Sequence, residues 1–373
     1  MERRDSLERR LDQALARGVC LHASDDAERQ RLRRMVRRGT VSSPARGQFV
    51  RTAAWTALNP RARALVLIRS LAILHPDWVF CGVSAAIVHG LSVSFHLLGQ
   101  VHIAVPRSRH GRSTRVVARH AIGKVPVVRV DGIRVTSLPR TVVDCLRHTS
   151  FAEGLVIADS SLQATRMSTG PFCELLGRVG RGLRGIRHAL STISWADARS
   201  ESGGESLARA LMVELGYQVP ELQSCVSSAL GDGHVYRPDF TWRLPTGTVY
   251  GEFDGRAKYV DPAMTRGRNA LDVLADERIR ESRLAASGRV MRLSYADLRP
   301  ERLARVLDAF GIPRERPRAL LDLRPPSLRD ARDLGSRTRR DPRARTGKPR
   351  RRGGAPVAVA HTAERPERRP AAK

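Results

Sequence analysis

Asp239, Glu252 and Asp254 are the side chains of this 373-residue sequence whose types and spacing most invite chemistry. They fall in Tyr236-Arg-Pro-Asp-Phe-Thr-Trp-Arg-Leu244 and Thr248-Val-Tyr-Gly-Glu-Phe-Asp-Gly255, two runs joined by Pro245-Thr-Gly247. In the first, Phe240, Trp242 and Leu244 alternate with Asp239, Thr241 and Arg243. In the second, Tyr250, Glu252 and Asp254 alternate with Val249, Gly251 and Phe253. Period-two alternation on both sides of a short turn predicts a β-hairpin. Such a hairpin brings Asp239 beside Glu252 and Asp254. Converging carboxylates repel one another unless a proton or a cation sits among them. Mg²⁺ is the kind of hard cation that takes a site built of oxygens.

The elements that must hold these acids are legible on both sides. Ser202 opens a predicted helix ending at Gly216, with Leu207, Leu211 and Leu215 on one face and Glu205 in its first turn. Downstream, residues 275–288 read as a helix ended by glycine, and Val290-Met-Arg-Leu293 as a strand.

Pro238-Asp239 followed by Glu252-Phe-Asp254 on the next strand resembles the PD-(D/E)XK nuclease core. With the flanking helices, residues 200–311 resemble the domain related to very-short-patch-repair endonucleases. The resemblance implies that Asp239 and Glu252 hold Mg²⁺, which positions and activates water for attack on a phosphodiester, with Glu205 as a supporting helical acid. This sequence departs from the family at the third position: Asp254 stands where the family has a lysine. Lys258 or Arg256 would have to reach back to replace it. The implied catalytic set is therefore Asp239, Glu252, Asp254, Lys258 and Glu205, and Mg²⁺ is required only if the domain cuts. The plainer alternative is a solvated strand edge, or a site that no longer cleaves.

The N-terminal half presents a different chemistry. Leu7, Leu11 and Leu15 mark one helix, and Ser24-Asp-Asp-Ala-Glu28 marks the start of another, with a Ser cap and acids in its first turn. That second helix turns Leu32, Met35 and Val36 inward and arginines outward, ends at Gly39, and is followed by a small hairpin over residues 40–50. Arg29, Arg33, Arg34, Arg37 and Arg38 on the helix, with Arg46 on the hairpin, are candidate DNA contacts. A small helical cap with a solvated arginine face is the plainer alternative. Further on, residues 61–75 read as a helix. Residues 101–106, 115–120, 125–130 and 132–137 read as strands, and helices open near Thr141 and at Phe151.

Two helices and a two-stranded wing resemble a winged helix-turn-helix. Arg46-Gly-Gln-Phe-Val50, Gly82-Val-Ser-Ala-Ala-Ile-Val-His-Gly-Leu91, Val101-His-Ile-Ala-Val-Pro106 and Val135-Thr-Ser-Leu-Pro-Arg-Thr-Val-Val-Asp144 follow in the order of the AbiEi-type abortive-infection antitoxin family, which residues 5–165 resemble. The resemblance implies a transcriptional repressor whose partners are DNA and a cognate nucleotidyltransferase toxin. His89 is expected to pack rather than to act as a base or ligand, and Asp144 to be a structural hydrogen-bonding acid. His102, His110 and His120 show no metal-ligand spacing. The glycine-rich run Leu176–Gly185 lacks the Gly-Lys-Ser/Thr ending of a phosphate loop and is expected to be a connector.

Composition limits the remaining choices. Net charge is +29, unevenly spread: residues 1–51 carry +6, residues 107–147 carry +8 and residues 324–373 carry +11, whereas residues 201–313 carry −1. A field of this sign favours polyanions, and it lies outside the nuclease-like segment. Five scattered cysteines form no C-x-x-C pair, so neither a zinc ribbon nor a disulfide framework is indicated and a reduced cytoplasmic setting is the simplest reading. The start has no signal-peptide pattern, and no apolar stretch is long enough to span a membrane. Together these features predict an α+β multidomain chain. Its parts are a winged-helix-like region over 1–55, an antitoxin-like α/β domain over 56–170, a linker over 171–200, a restriction-endonuclease-like α/β domain over 201–313 and a basic disordered tail over 314–373. Two functions follow as expectations: a DNA-binding regulator carrying an endonuclease-like domain, or a Mg²⁺-dependent DNA endonuclease.

Overall fold

The computed structural model describes residues 2–106, 112–229, 231–254 and 270–315. Most of the predicted tail therefore lies outside the described residues, as do Arg256, Lys258 and His110. Among the described residues no helix is long and apolar enough to cross a membrane. The chain is a mixed α/β protein with sheets of three, five, two and four strands.

At the N-terminus the helices Glu2–Ala16 and Asp26–Arg37 pack on a three-stranded sheet. Its central strand, Gln48–Arg51, pairs antiparallel with Leu21–His22 on one side and Val41–Ala45 on the other. The second helix starts close to the predicted place, but its cap is Asp25 rather than Ser24. The Asp25 carboxylate accepts the Glu28 N–H at 2.7 Å, Asp26 and Glu28 occupy the first turn, and Arg34 and Arg37 the last, all in favour of the helix dipole. Leu7, Leu11, Leu32, Val41 and Phe49 form the core of this part.

Residues 60–196 surround a second core. The helix Pro60–Leu74 begins with a proline and an Asn59 cap. The five-stranded sheet runs in the order Val117–Ala121, Val101–Val105, Val79–Phe80, Ile133–Thr136, Val127–Val130, and is mixed, with parallel pairs between the first two strands and between Phe80 and Val135. The helices Gly82–Val88, Leu138–Leu146 and Phe151–Thr165 complete this core, the last opened by a capping box between Ser150 and Glu153.

The expected linker over 171–200 is corrected. Thr169–Val179 and Ile186–Ile193 are helices, and Phe172, Leu176, Ala189 and Ile193 are fully buried in the second core. The glycines suggested a flexible connector, but they make the corner between these helices. Gly182 and Gly185 take positive φ, and a Cβ on Gly180 would sit 2.1 Å from the Ile186 side chain.

The C-terminal part follows the order helix Gly203–Glu214, strands Glu221–Leu222, Val226–Ser227, Val235–Tyr236, Phe240–Leu244 and Gly247–Asp254, helix Ala270–Ala285, strand Arg289–Ser294 and helix Pro300–Ala309. Gly247–Asp254 is central: it pairs antiparallel with Phe240–Leu244 and parallel with Arg289–Ser294. Phe240, Trp242, Tyr217, Met291, Leu293 and Leu303 are buried beneath the sheet. The first helix is shared rather than private to this part. Ala210 and Val213 pack in the core of residues 60–196, while Ala208 and Met212 pack in the C-terminal core. This displaces the predicted leucine stripe, because Leu207, Leu211 and Leu215 are only half-buried.

Candidate functional site

The acidic site is set by strand register. Phe240 lies opposite Gly251, so Asp239, just before its strand, stands level with Glu252 on the next. Asp239 is held by two donors: the Phe253 N–H at 2.7 Å on one carboxylate oxygen and the Gln223 side-chain amide at 3.1 Å on the other. Glu252 is 8% exposed. It accepts a hydrogen bond from Arg280 at 2.8 Å, and the same guanidinium nitrogen lies 3.4 Å from the Arg237 carbonyl. Asp254 accepts from Arg292 at 3.0 Å, and Arg292 reaches Glu281 with its other nitrogen at 2.9 Å. Although burial favours its neutral form, Arg292 binds its proton more tightly than usual because Glu281 and Asp254 flank it.

Glu205 arrives from the neighbouring helix. A Cβ on Gly204 would lie 2.1 Å from the Phe253 ring, so only glycine lets the helix start approach the strand this closely. Glu205 is 6% exposed and accepts the Glu201 N–H at 2.8 Å. Burial, with the nearby Asp239 charge, pushes its carboxyl up to about 7. Tyr295, after the last strand, packs edge-on against Phe253 with ring centroids 5.1 Å apart.

The predicted acids therefore gather in one region, but not as a metal cage. Among the described residues no three His, Cys, Asp or Glu side chains are disposed to hold a metal ion. Glu252 and Asp254 already face guanidinium groups, and both Asp239 oxygens face N–H donors. As arranged, the donor set does not fit Mg²⁺. Lys258, the expected displaced lysine, falls outside the described residues. Sequence reading did not single out Arg280 and Arg292. The signal for Arg292 is the parallel register that sets it opposite Glu252, which no local pattern announces.

The basic surface keeps most of its predicted character. Leu32 is fully buried with Met35 and Val36 half-buried, while Arg33, Arg34, Arg37, Arg38 and Arg46 are exposed. Arg29 is half-buried and pairs with Asp26 on its own helix. Gly47, at φ +76°, turns the hairpin beside Arg46.

Two further polar groups lie in the five-stranded part. His89 Nε2 donates to the Thr136 carbonyl, 2.8 Å away, and Asp144 pairs with Arg140 at 2.7 Å and Arg147 at 3.3 Å. His102 Nδ1 and His120 Nε2 lie 2.9 Å apart on adjacent strands with their rings stacked. Burial lowers both proton affinities, that of His102 to about 4. Sequence spacing missed this pair because its partners come from two different strands.

The chain matches no protein-family model. Over 185 residues it is 27% identical to the uncharacterized proteins MT2308 and Rv2248 of Mycobacterium tuberculosis, a stretch covering 50% of this chain and 65% of each relative.

Proposed function

We propose that the protein is a DNA-binding regulator of the abortive-infection antitoxin type, carrying an endonuclease-like domain that does not cut. The observation that carries this reading is the Asp26–Arg37 helix. It turns Leu32 into the core and leaves Arg33, Arg34 and Arg37, with the adjoining Arg38, in solvent beside a hairpin that exposes Arg46. A basic helix flanked by a two-stranded wing supports a winged-helix reading, in which the helix enters the major groove and the wing arginine meets phosphate. DNA and a nucleotidyltransferase toxin are the proposed partners. The guanidinium groups of Arg280 and Arg292 on Glu252 and Asp254 support the non-cutting half of the proposal.

A second reading, a Mg²⁺-dependent endonuclease hydrolysing phosphodiester bonds, is favoured by a hairpin set between two helices and followed by a parallel strand, and by the like-charge proximity of Glu205 and Asp239. One experiment separates the two. Plasmid and single-stranded DNA are incubated with Mg²⁺ or Mn²⁺ and either the wild type or the Asp239→Ala/Glu252→Ala variant. The regulator reading expects intact DNA with both proteins and equal, salt-sensitive binding to duplex DNA. Cleavage by the wild type alone establishes the endonuclease.

A further inference from the structure

We propose that Arg280 is a built-in counter-cation that keeps divalent ions out of the acidic site, so that the cluster becomes a cation site only when Arg280 is withdrawn. The geometry is specific to this side chain. One guanidinium nitrogen lies 2.8 Å from Glu252 and 3.4 Å from the carbonyl of Arg237, two residues before Asp239. Arg280 thus links Glu252 to the chain segment that leads into Asp239. A carboxylate as buried as Glu252 needs a compensating charge, and the helix Ala270–Ala285 supplies it from within the chain. Arg292 compensates Asp254 in the same way, with Glu281 on its far side.

Two consequences separate this arrangement from an ordinary ion pair. A divalent cation must displace a guanidinium held by a charge-assisted hydrogen bond before it can reach Glu252. Removal of the guanidinium leaves Glu252 level with Asp239, where carboxylate repulsion favours a bound cation. The proposal stands whether or not the Asp26–Arg37 helix binds DNA, because its readout is cation binding and not DNA binding or cleavage.

Mn²⁺ is titrated calorimetrically into the full chain, into Arg280→Met and into Arg280→Met/Glu252→Gln. The expected result is that Arg280→Met binds Mn²⁺ at least about tenfold more tightly than the wild type, and that Glu252→Gln removes the gain. Equal affinity of wild type and Arg280→Met, or a gain that survives Glu252→Gln, overturns the proposal. If Arg280→Met does not fold, Arg280→Gln, which removes the charge with a shorter polar side chain, serves in the same comparison with the same outcomes.

Discussion

Glu205 is the carboxyl of the acidic site whose proton affinity burial raises most clearly. Its carboxyl, raised by burial and by Asp239, is held in the neutral form to about pH 7 in the fold, against 4.5 in the unfolded chain. A group with a raised folded-state pKa contributes its stability fully below the unfolded value and loses it as pH rises through the folded value. The cost of ionising Glu205 is therefore absent at pH 4 and fully expressed at pH 8, where the shift corresponds to about 3 kcal/mol. Glu205→Gln, which keeps an acceptor for the Glu201 N–H, is expected to stabilise the protein by up to that amount at pH 8 and to change little at pH 4. Urea unfolding at the two pH values checks this, and an equal effect at both would contradict it. At this scale the acids were legible, because Asp239, Glu252 and Asp254 sit in an alternating pattern. Their compensating arginines were not, because Arg280 and Arg292 lie far along the chain and meet the acids only through register and helix docking.

Among the elements, the helix Gly203–Glu214 ties the molecule together. Its Arg209 is 3% exposed, donates to both Asp159 oxygens at 2.8 Å, and reaches the Trp195 carbonyl at 2.7 Å. Asp159 also accepts the Asp197 N–H at 2.8 Å. Removing one partner of a buried pair leaves an uncompensated charge, so Asp159→Ala is expected to cost about 3–5 kcal/mol. Asp159→Leu/Arg209→Met, which removes both charges, is expected to cost less than Asp159→Ala alone. Because the helix lies in both cores, denaturant unfolding of Asp159→Ala should shift the loss of acidic-site structure and of the residue 60–196 core together. Loss of the C-terminal part alone would contradict this coupling. Sequence periodicity found this helix but assigned it one apolar face, since alanines at 208 and 210 carry little hydrophobic signal. It likewise read residues 171–200 as a connector, because the glycines between two short helices outweighed the spacing of Phe172, Leu176, Ala189 and Ile193.

For the molecule as a whole, the segments legible from sequence are the Asp26–Arg37 helix, four of the five strands of the larger sheet and the acidic hairpin; Val79–Phe80 is not, being too short to show a period. The −1 charge of residues 201–313, against +6, +8 and +11 on residues 1–51, 107–147 and 324–373, argues against DNA contact at the acidic site, and the contact proposed above is the N-terminal helix and wing. Each phosphate neutralised by an arginine adds about 0.9 to the slope of log affinity against log salt. The measurement that tests this most directly is fluorescence anisotropy of duplex DNA binding across a salt series, for the full chain and for Arg33→Ala/Arg37→Ala/Arg38→Ala/Arg46→Ala. Arg33, Arg37, Arg38 and Arg46 are exposed, so the substitutions leave the core intact. The predicted result is weaker binding with a slope reduced by about 3 to 4. Unchanged affinity and slope would contradict the account and place DNA binding elsewhere on the chain.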